Sequence, residues 1–105
     1  MVTKVSAPTV ELFWFYATAK TARTFIVPDG IRRIGAGAFA YCATLRTVVL
    51  PDSLTVIESD AFYKCTSLLN VYYCGTAEEW SQISIGSQNS NLTNATKYYN
   101  YTVTQ

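Results

Sequence analysis

Apolar and polar positions recur along this chain with a fixed period. Shifting the sequence by 23 residues aligns residues 28–50 with residues 51–73, and eight positions are then identical. They are mostly apolar: Pro28/Pro51, Asp29/Asp52, Ile34/Ile57, Ala38/Ala61, Phe39/Phe62, Cys42/Cys65, Leu45/Leu68 and Val48/Val71. Because the repeated positions are apolar and evenly phased, each unit carries the same inward-facing set. Stacked units are therefore predicted to form a solenoid with a continuous core.

Each unit is predicted to contain one short strand, which spans residues 45–50 in the first full unit. Successive side chains of a strand point to opposite faces. Two rows are then predicted to point inward: Phe25, Val48 and Val71, and Val27, Leu50 and Tyr73. Two rows are predicted to point outward: Thr24, Thr47 and Asn70, and Ile26, Val49 and Tyr72. Proline ends each strand because it cannot donate to a ladder of hydrogen bonds.

The segment after each proline has apolar residues at spacings of three, four and one, which favours a short helical or irregular turn over a second long strand. Phe39 and Phe62 are predicted to stack as core rings. Cys42 and Cys65 lie one unit apart, but equivalent side chains point in parallel and do not face each other. We therefore expect two reduced, buried thiols.

Both ends of the chain depart from the repeat. Residues 15–28 form a degenerate half-repeat, and residues 10–16 are rich in aromatic side chains. This aromatic segment is predicted to be either a strand that covers the first coil or a docking surface. At the other end, Thr76 and Glu79 have the spacing of a capping box, which predicts a short helix over residues 77–82. A last strand is predicted over residues 97–103.

Composition excludes several classes of function. Half of the residues are hydrophobic, 14% are charged, and the net charge is +1, so nucleic acid is not an expected partner. The chain has no histidine, which removes the usual general base and the commonest metal ligand. It also has no catalytic or phosphate-binding motif that we recognise. We expect no enzyme activity, no catalytic residue, no metal and no cofactor. No apolar run is long enough to span a bilayer, and the N-terminus is not a convincing secretion signal.

The run GAFAYCATLRTVVLPDSLTVIESDAFYKCTSLLNVYY resembles the BspA-like leucine-rich repeat. The first full unit matches its pattern at Ile31, Ile34, Gly35, Ala38, Phe39, Cys42, Leu45, Val48, Leu50 and Pro51. In the second unit Glu58 replaces the glycine. The ending GTAEEWSQISIGSQNSNLTNATKYYNY is similar to a segment that often closes such arrays. The resemblance covers roughly residues 25–101 and leaves residues 1–14 unplaced.

This resemblance implies a leucine-rich repeat solenoid of the α/β class, in one domain over residues 1–105. Its 23-residue coils would each have a short parallel strand and a turn or short helix, and a small helix and strand would cap the C-terminus. Residues 1–26 would form an N-terminal cap and degenerate half-repeat, residues 27–73 two full repeats, and residues 74–105 the C-terminal cap.

The resemblance also implies a non-catalytic module for protein binding or adhesion, at a cell surface or secreted. The expected partner is a host, matrix or identical protein. The implied binding residues lie on the outward strand face: Thr24, Ile26, Arg46, Thr47, Val49, Asn70 and Tyr72, with Arg23 alongside. The alternative is a structural subunit, such as a virion or surface-structure accessory, that forms homo-oligomers or docks through its aromatic N-terminal segment.

Overall fold

The computed structural model describes the backbone of residues 11–12 and all of residues 21–103. Within these residues the strands form two sheets of four, and every pairing is parallel. One sheet contains β2 (Thr24–Ile26), β4 (Thr47–Leu50), β6 (Asn70–Tyr73) and β8 (Thr96–Tyr98). The other contains β1 (Glu11–Leu12), β3 (Arg33–Ile34), β5 (Val56–Ile57) and β7 (Ser84–Ile85). The chain alternates between the sheets, as a solenoid requires.

The strand register follows the sequence repeat. Thr24 pairs with Thr47, and Thr47 pairs with Asn70, which are steps of 23 residues. The last coil is longer, because Asn70 pairs with Thr96 and Val56 with Ser84. The segment that we assigned to a C-terminal cap, residues 74–105, thus contains one more strand of each sheet.

The core is built from equivalent side chains stacked between the sheets. Val48 and Val71 are fully buried, and so are Leu50 and Tyr73. The rings of Phe39 and Phe62 stack with centroids 4.9 Å apart and planes 13° apart. Burying these rings stabilises the fold, because each aromatic side chain removes a large apolar area from water.

The segment after each proline contains a second strand, which the apolar spacing did not predict. Each of these strands has only two residues, and turns follow it. The turns place residues in the left-handed region, with φ of 65° at Tyr41 and 62° at Lys64, one coil apart. This conformation ends regular structure and returns the chain to the first sheet.

The C-terminal segment begins with helix α1 (Ala77–Ser81). The Thr76 hydroxyl accepts a hydrogen bond from the Glu79 N–H at 3.0 Å, and the Glu79 carboxylate accepts one from the Thr76 N–H at 2.9 Å. This is the capping box that the spacing predicted. It positions Trp80 and Ile83, and both pack on the core at the end of the last coil.

The last strand is shorter than predicted. It spans Thr96–Tyr98 rather than residues 97–103. After it the chain folds back on the preceding coil, where the Asn100 N–H donates to the Gly75 carbonyl and the Tyr101 N–H to the Tyr73 carbonyl. These two bonds hold residues 100 and 101 beside the end of β6 but outside a regular ladder, so the high β-propensity of residues 99–103 does not extend the strand.

The Asn89 side chain caps backbone groups at this end of the core. In the coil before, the Phe39 N–H donates to the Ala61 carbonyl at 2.7 Å. The equivalent N–H of Phe62 instead donates to the side-chain oxygen of Asn89 at 2.8 Å. The Asn89 amide nitrogen in turn donates to the carbonyls of Glu58 and Gly86, both at 3.0 Å. The Asn89 side chain thus provides the hydrogen-bond acceptor that a backbone carbonyl provides in the preceding coil, and it also bonds two backbone carbonyls.

Lys97 closes the inward row of the first sheet. The register aligns it with Val71 and therefore with a core-facing position. Its ammonium donates to the carbonyls of Thr93 and Ala95 at 2.8 and 2.7 Å and lies 5.7 Å from the centre of the Trp80 ring. The acceptor Thr93 ends helix α2 (Ser90–Thr93), so Lys97 also satisfies a helix C-terminus. An inward-facing charge on an edge strand opposes the addition of another coil.

Candidate functional site

The outward side chains of the first sheet form two adjacent rows. The first row is polar and runs across all four strands: Thr24, Thr47, Asn70 and Thr96. The Asn70 side-chain amide donates to the Thr47 hydroxyl at 3.4 Å. This contact joins two neighbouring members of the row, and Thr24 and Thr96 at its two ends are exposed.

The second row is apolar and aromatic, and it consists of Ile26, Val49, Tyr72 and Tyr98. Ile26 is 51% exposed, whereas Val49 is only 4% exposed. We predicted Val49 to be an exposed contact residue, and in this respect the prediction is wrong. Val49 lies outside the core cluster, between the larger side chains of Ile26 and Tyr72. It forms the floor of the row rather than a projecting contact.

Three tyrosines form a cluster at the C-terminal end of this row. The rings of Tyr72 and Tyr98 stack with centroids 4.6 Å apart, and the Tyr101 ring lies 4.9 Å from that of Tyr72. Tyr98 and Tyr101 are exposed. We call the two rows together with Tyr101 the outer face. Sequence analysis missed Tyr98 and Tyr101, because the last coil is 26 residues long in this register and breaks the 23-residue alignment.

Charged residues border the outer face on both sides. Arg23 and Arg46 are exposed at the amino ends of β2 and β4, and the exposed Leu69 follows them in the third coil. We call Arg23 and Arg46 the arginine row. Asp29 and Asp52 are exposed beyond the carboxyl ends of the same strands. Among the described residues none of these four charges forms a salt bridge.

A groove lies beyond the carboxyl ends of β4 and β6. Its volume is about 190 Å³, and Leu54, Tyr73 and Ile83 provide its apolar lining. Asp52 and Glu79 also line it, and the Glu79 carboxylate accepts the capping bond from the Thr76 N–H as well. Burial raises the pKa of the Tyr73 hydroxyl, and Glu79 and Asp52 raise it further. The lining of the groove thus contains two acidic residues and no basic one.

The three cysteines all lie within the described residues, and none forms a disulfide. Cys42 and Cys65 are buried thiols, and the Cys65 thiol donates to the Phe39 carbonyl at 3.0 Å. Hydrogen bonding with Cys42 and then burial raise the pKa of Cys65. Burial, and then Asp52 and Asp29, raise the pKa of the half-buried Cys74. A raised pKa disfavours the reactive thiolate. Across residues 21–103 no group of three or more potential ligands could hold a metal ion.

Comparison with protein families decides the classification. A family model described as BspA type leucine rich repeat region (6 copies) matches residues 5–103. The chain belongs to this family. BspA-type repeats suggest a protein-interaction module, and leucine-rich repeat families are generally non-catalytic. No curated protein and no solved structure matches the chain significantly.

The family match begins earlier than the resemblance that we recognised, which left residues 1–14 unplaced. In the structure, Glu11–Leu12 pairs in parallel with Arg33–Ile34, so this part of the segment lies beside the first coil. The rest of the aromatic segment at residues 10–16 lies outside the described residues. Its roles in docking and in homo-oligomers therefore stay predictions. No helix in the described part of the chain is long and apolar enough to cross a membrane.

Proposed function

We propose that this BspA-type repeat protein is a non-catalytic adhesion module that binds a protein partner through its outer face at a cell surface. The observation that carries the proposal is the outward row of Ile26 and the tyrosine cluster beside a row of hydroxyls. Protein interfaces are enriched in aromatic residues and arginine, and their binding energy is concentrated in such residues.

The rigid parallel sheet supports this proposal. Strands β6 and β8 hold Tyr72 and Tyr98 in a fixed arrangement, so little side-chain entropy is lost when a partner binds. Stacking of Tyr72 on Tyr98 orients both rings further, and Tyr101 packs on Tyr72 from the segment that follows β8. A surface that is preorganised in this way favours affinity without a conformational change.

The proposal is tested by binding to a panel of purified extracellular matrix proteins, measured by biolayer interferometry. Ile26→Asp and Tyr72→Ala should each weaken binding about tenfold or more, the size typical of central interface residues. Tyr41→Ala is the matched control, because Tyr41 is an exposed tyrosine at a turn away from the outer face. Equal affinity of all three variants, or no binding to any member of the panel, would contradict the proposal.

A further inference from the structure

The outer face has a charge polarity that a protein partner would have to match. The arginine row lies at the amino ends of the strands, and Asp29 and Asp52 lie beyond the carboxyl ends. From Arg46 to Asp52 is six residues, which is about 20 Å for an extended chain at ~3.3 Å per residue. Two arginines and two aspartates, none of which forms a salt bridge with another described residue, thus border one apolar and hydroxyl-bearing surface.

The groove beyond β4 and β6 extends this polarity. Its volume of about 190 Å³ is smaller than the ~300–1,000 Å³ of pockets for drug-sized ligands. A single long side chain suits it better. The apolar lining of Leu54 and Ile83 matches the methylene stem of a lysine or arginine, and the carboxylates of Asp52 and Glu79 match its cationic head.

We infer that the outer face binds an extended protein segment with a fixed order of charges. Its carboxylates lie over the arginine row, its apolar side chains cross Ile26 and the tyrosine cluster, and a lysine or arginine side chain enters the groove beside Asp52. This inference rests on the proposed function and adds the chemistry and direction of the partner. Opposite charges in the segment are separated by about six residues, because both chains are extended.

The charge order of the bound segment and its binding to the outer face can be tested separately. An unbiased library of displayed 12-residue peptides is selected for binding to the full chain. We expect selected peptides to carry acidic residues at one end, basic residues about six positions away and aromatic or aliphatic residues between them. For a synthesised peptide of this kind, Arg46→Glu should weaken binding about fivefold, within the range for exposed charge pairs. The control Arg32→Glu makes the same charge change at an exposed site before β3 and should change binding less than about twofold.

The outcomes separate this inference from the proposed function. Peptides that lose binding with Tyr72→Ala but show no charge order, and that bind Arg46→Glu normally, would overturn the inference alone. Failure to select any peptide that is sensitive to Ile26→Asp would overturn both. A dimer of the chain itself that is lost in Arg46→Glu would show that a second copy occupies the face, and would also overturn the inference. Weaker binding of a peptide with the reversed charge order would support it directly.

Discussion

Replacing Asn89 with alanine should open the C-terminal end of the core. Asn89 is 3% exposed, and its side chain serves the Phe62 N–H and the carbonyls of Glu58 and Gly86. Alanine leaves the buried Phe62 N–H without its acceptor, which costs about 1–3 kcal/mol. The lost bonds to the carbonyls bring the expected loss to about 2–4 kcal/mol. That is a large share of the ~5–15 kcal/mol by which native domains are stable.

The assay is urea unfolding, combined with hydrogen exchange of individual amides. We expect the unfolding midpoint to fall in Asn89→Ala and the Phe62 amide to lose protection before amides of β2 do, because stability is lost locally at the last coil. Asn94→Ala is the matched control, since Asn94 lies just beyond α2 with an exposed side chain. If the free energies of unfolding of the two variants agreed within about 0.5 kcal/mol and the Phe62 amide stayed protected, Asn89 would not stabilise the C-terminal end of the core.

Three further predictions concern the edge, a turn and the thiols. Lys97→Leu should leave an apolar edge strand and cause association that increases with concentration, measured by light scattering; a monomer at all concentrations would contradict the role of Lys97. Lys64→Gly should raise the free energy of unfolding by about 0.5–1 kcal/mol, because Lys64 has φ of 62°; no gain in thermal unfolding would argue against strain there. Cys74 should react slowly with a disulfide reagent at neutral pH and faster as pH rises, because its raised pKa means that the thiolate forms only at higher pH. Cys42 and Cys65 are buried and should react only after the protein unfolds. Rapid labelling of Cys65 in the native protein would contradict its burial.

The first sheet was predictable because it obeys a simple physical periodicity. Alternation along the strand, together with the 23-residue shift, identified Val48 and Val71 as core residues, and both are fully buried. The solenoid followed from the same repeat, and the parallel strands followed from the resemblance to BspA-like repeats. Stacked rings at Phe39 and Phe62 were predictable because equivalent positions in a solenoid must lie above one another.

The second sheet, and the roles of Asn89 and Lys97 at the C-terminal end of the core, were not predictable in this way. Strands of two residues are too short to show alternation. Asn89 and Lys97 act through hydrogen bonds to backbone groups that are distant in sequence or in a neighbouring turn, and no repeat marks them. Tyr98 pairs with Tyr72 at a step of 26 residues, so the 23-residue alignment does not place it on the outer face. Exposure of Val49 was mispredicted because alternation gives the direction of a side chain but not what its neighbours cover.

The central claim is that the outer face binds the partner, and mapping amide chemical shifts tests it most directly. The chain labelled with ¹⁵N would be titrated with a peptide selected from the display library. The account predicts that the largest shifts occur at residues 24–26, 47–49, 70–72 and 96–98, with smaller shifts at Asp52 and Glu79. Shifts concentrated at the turns around Tyr41 and Tyr63, or within residues 1–20, would contradict it.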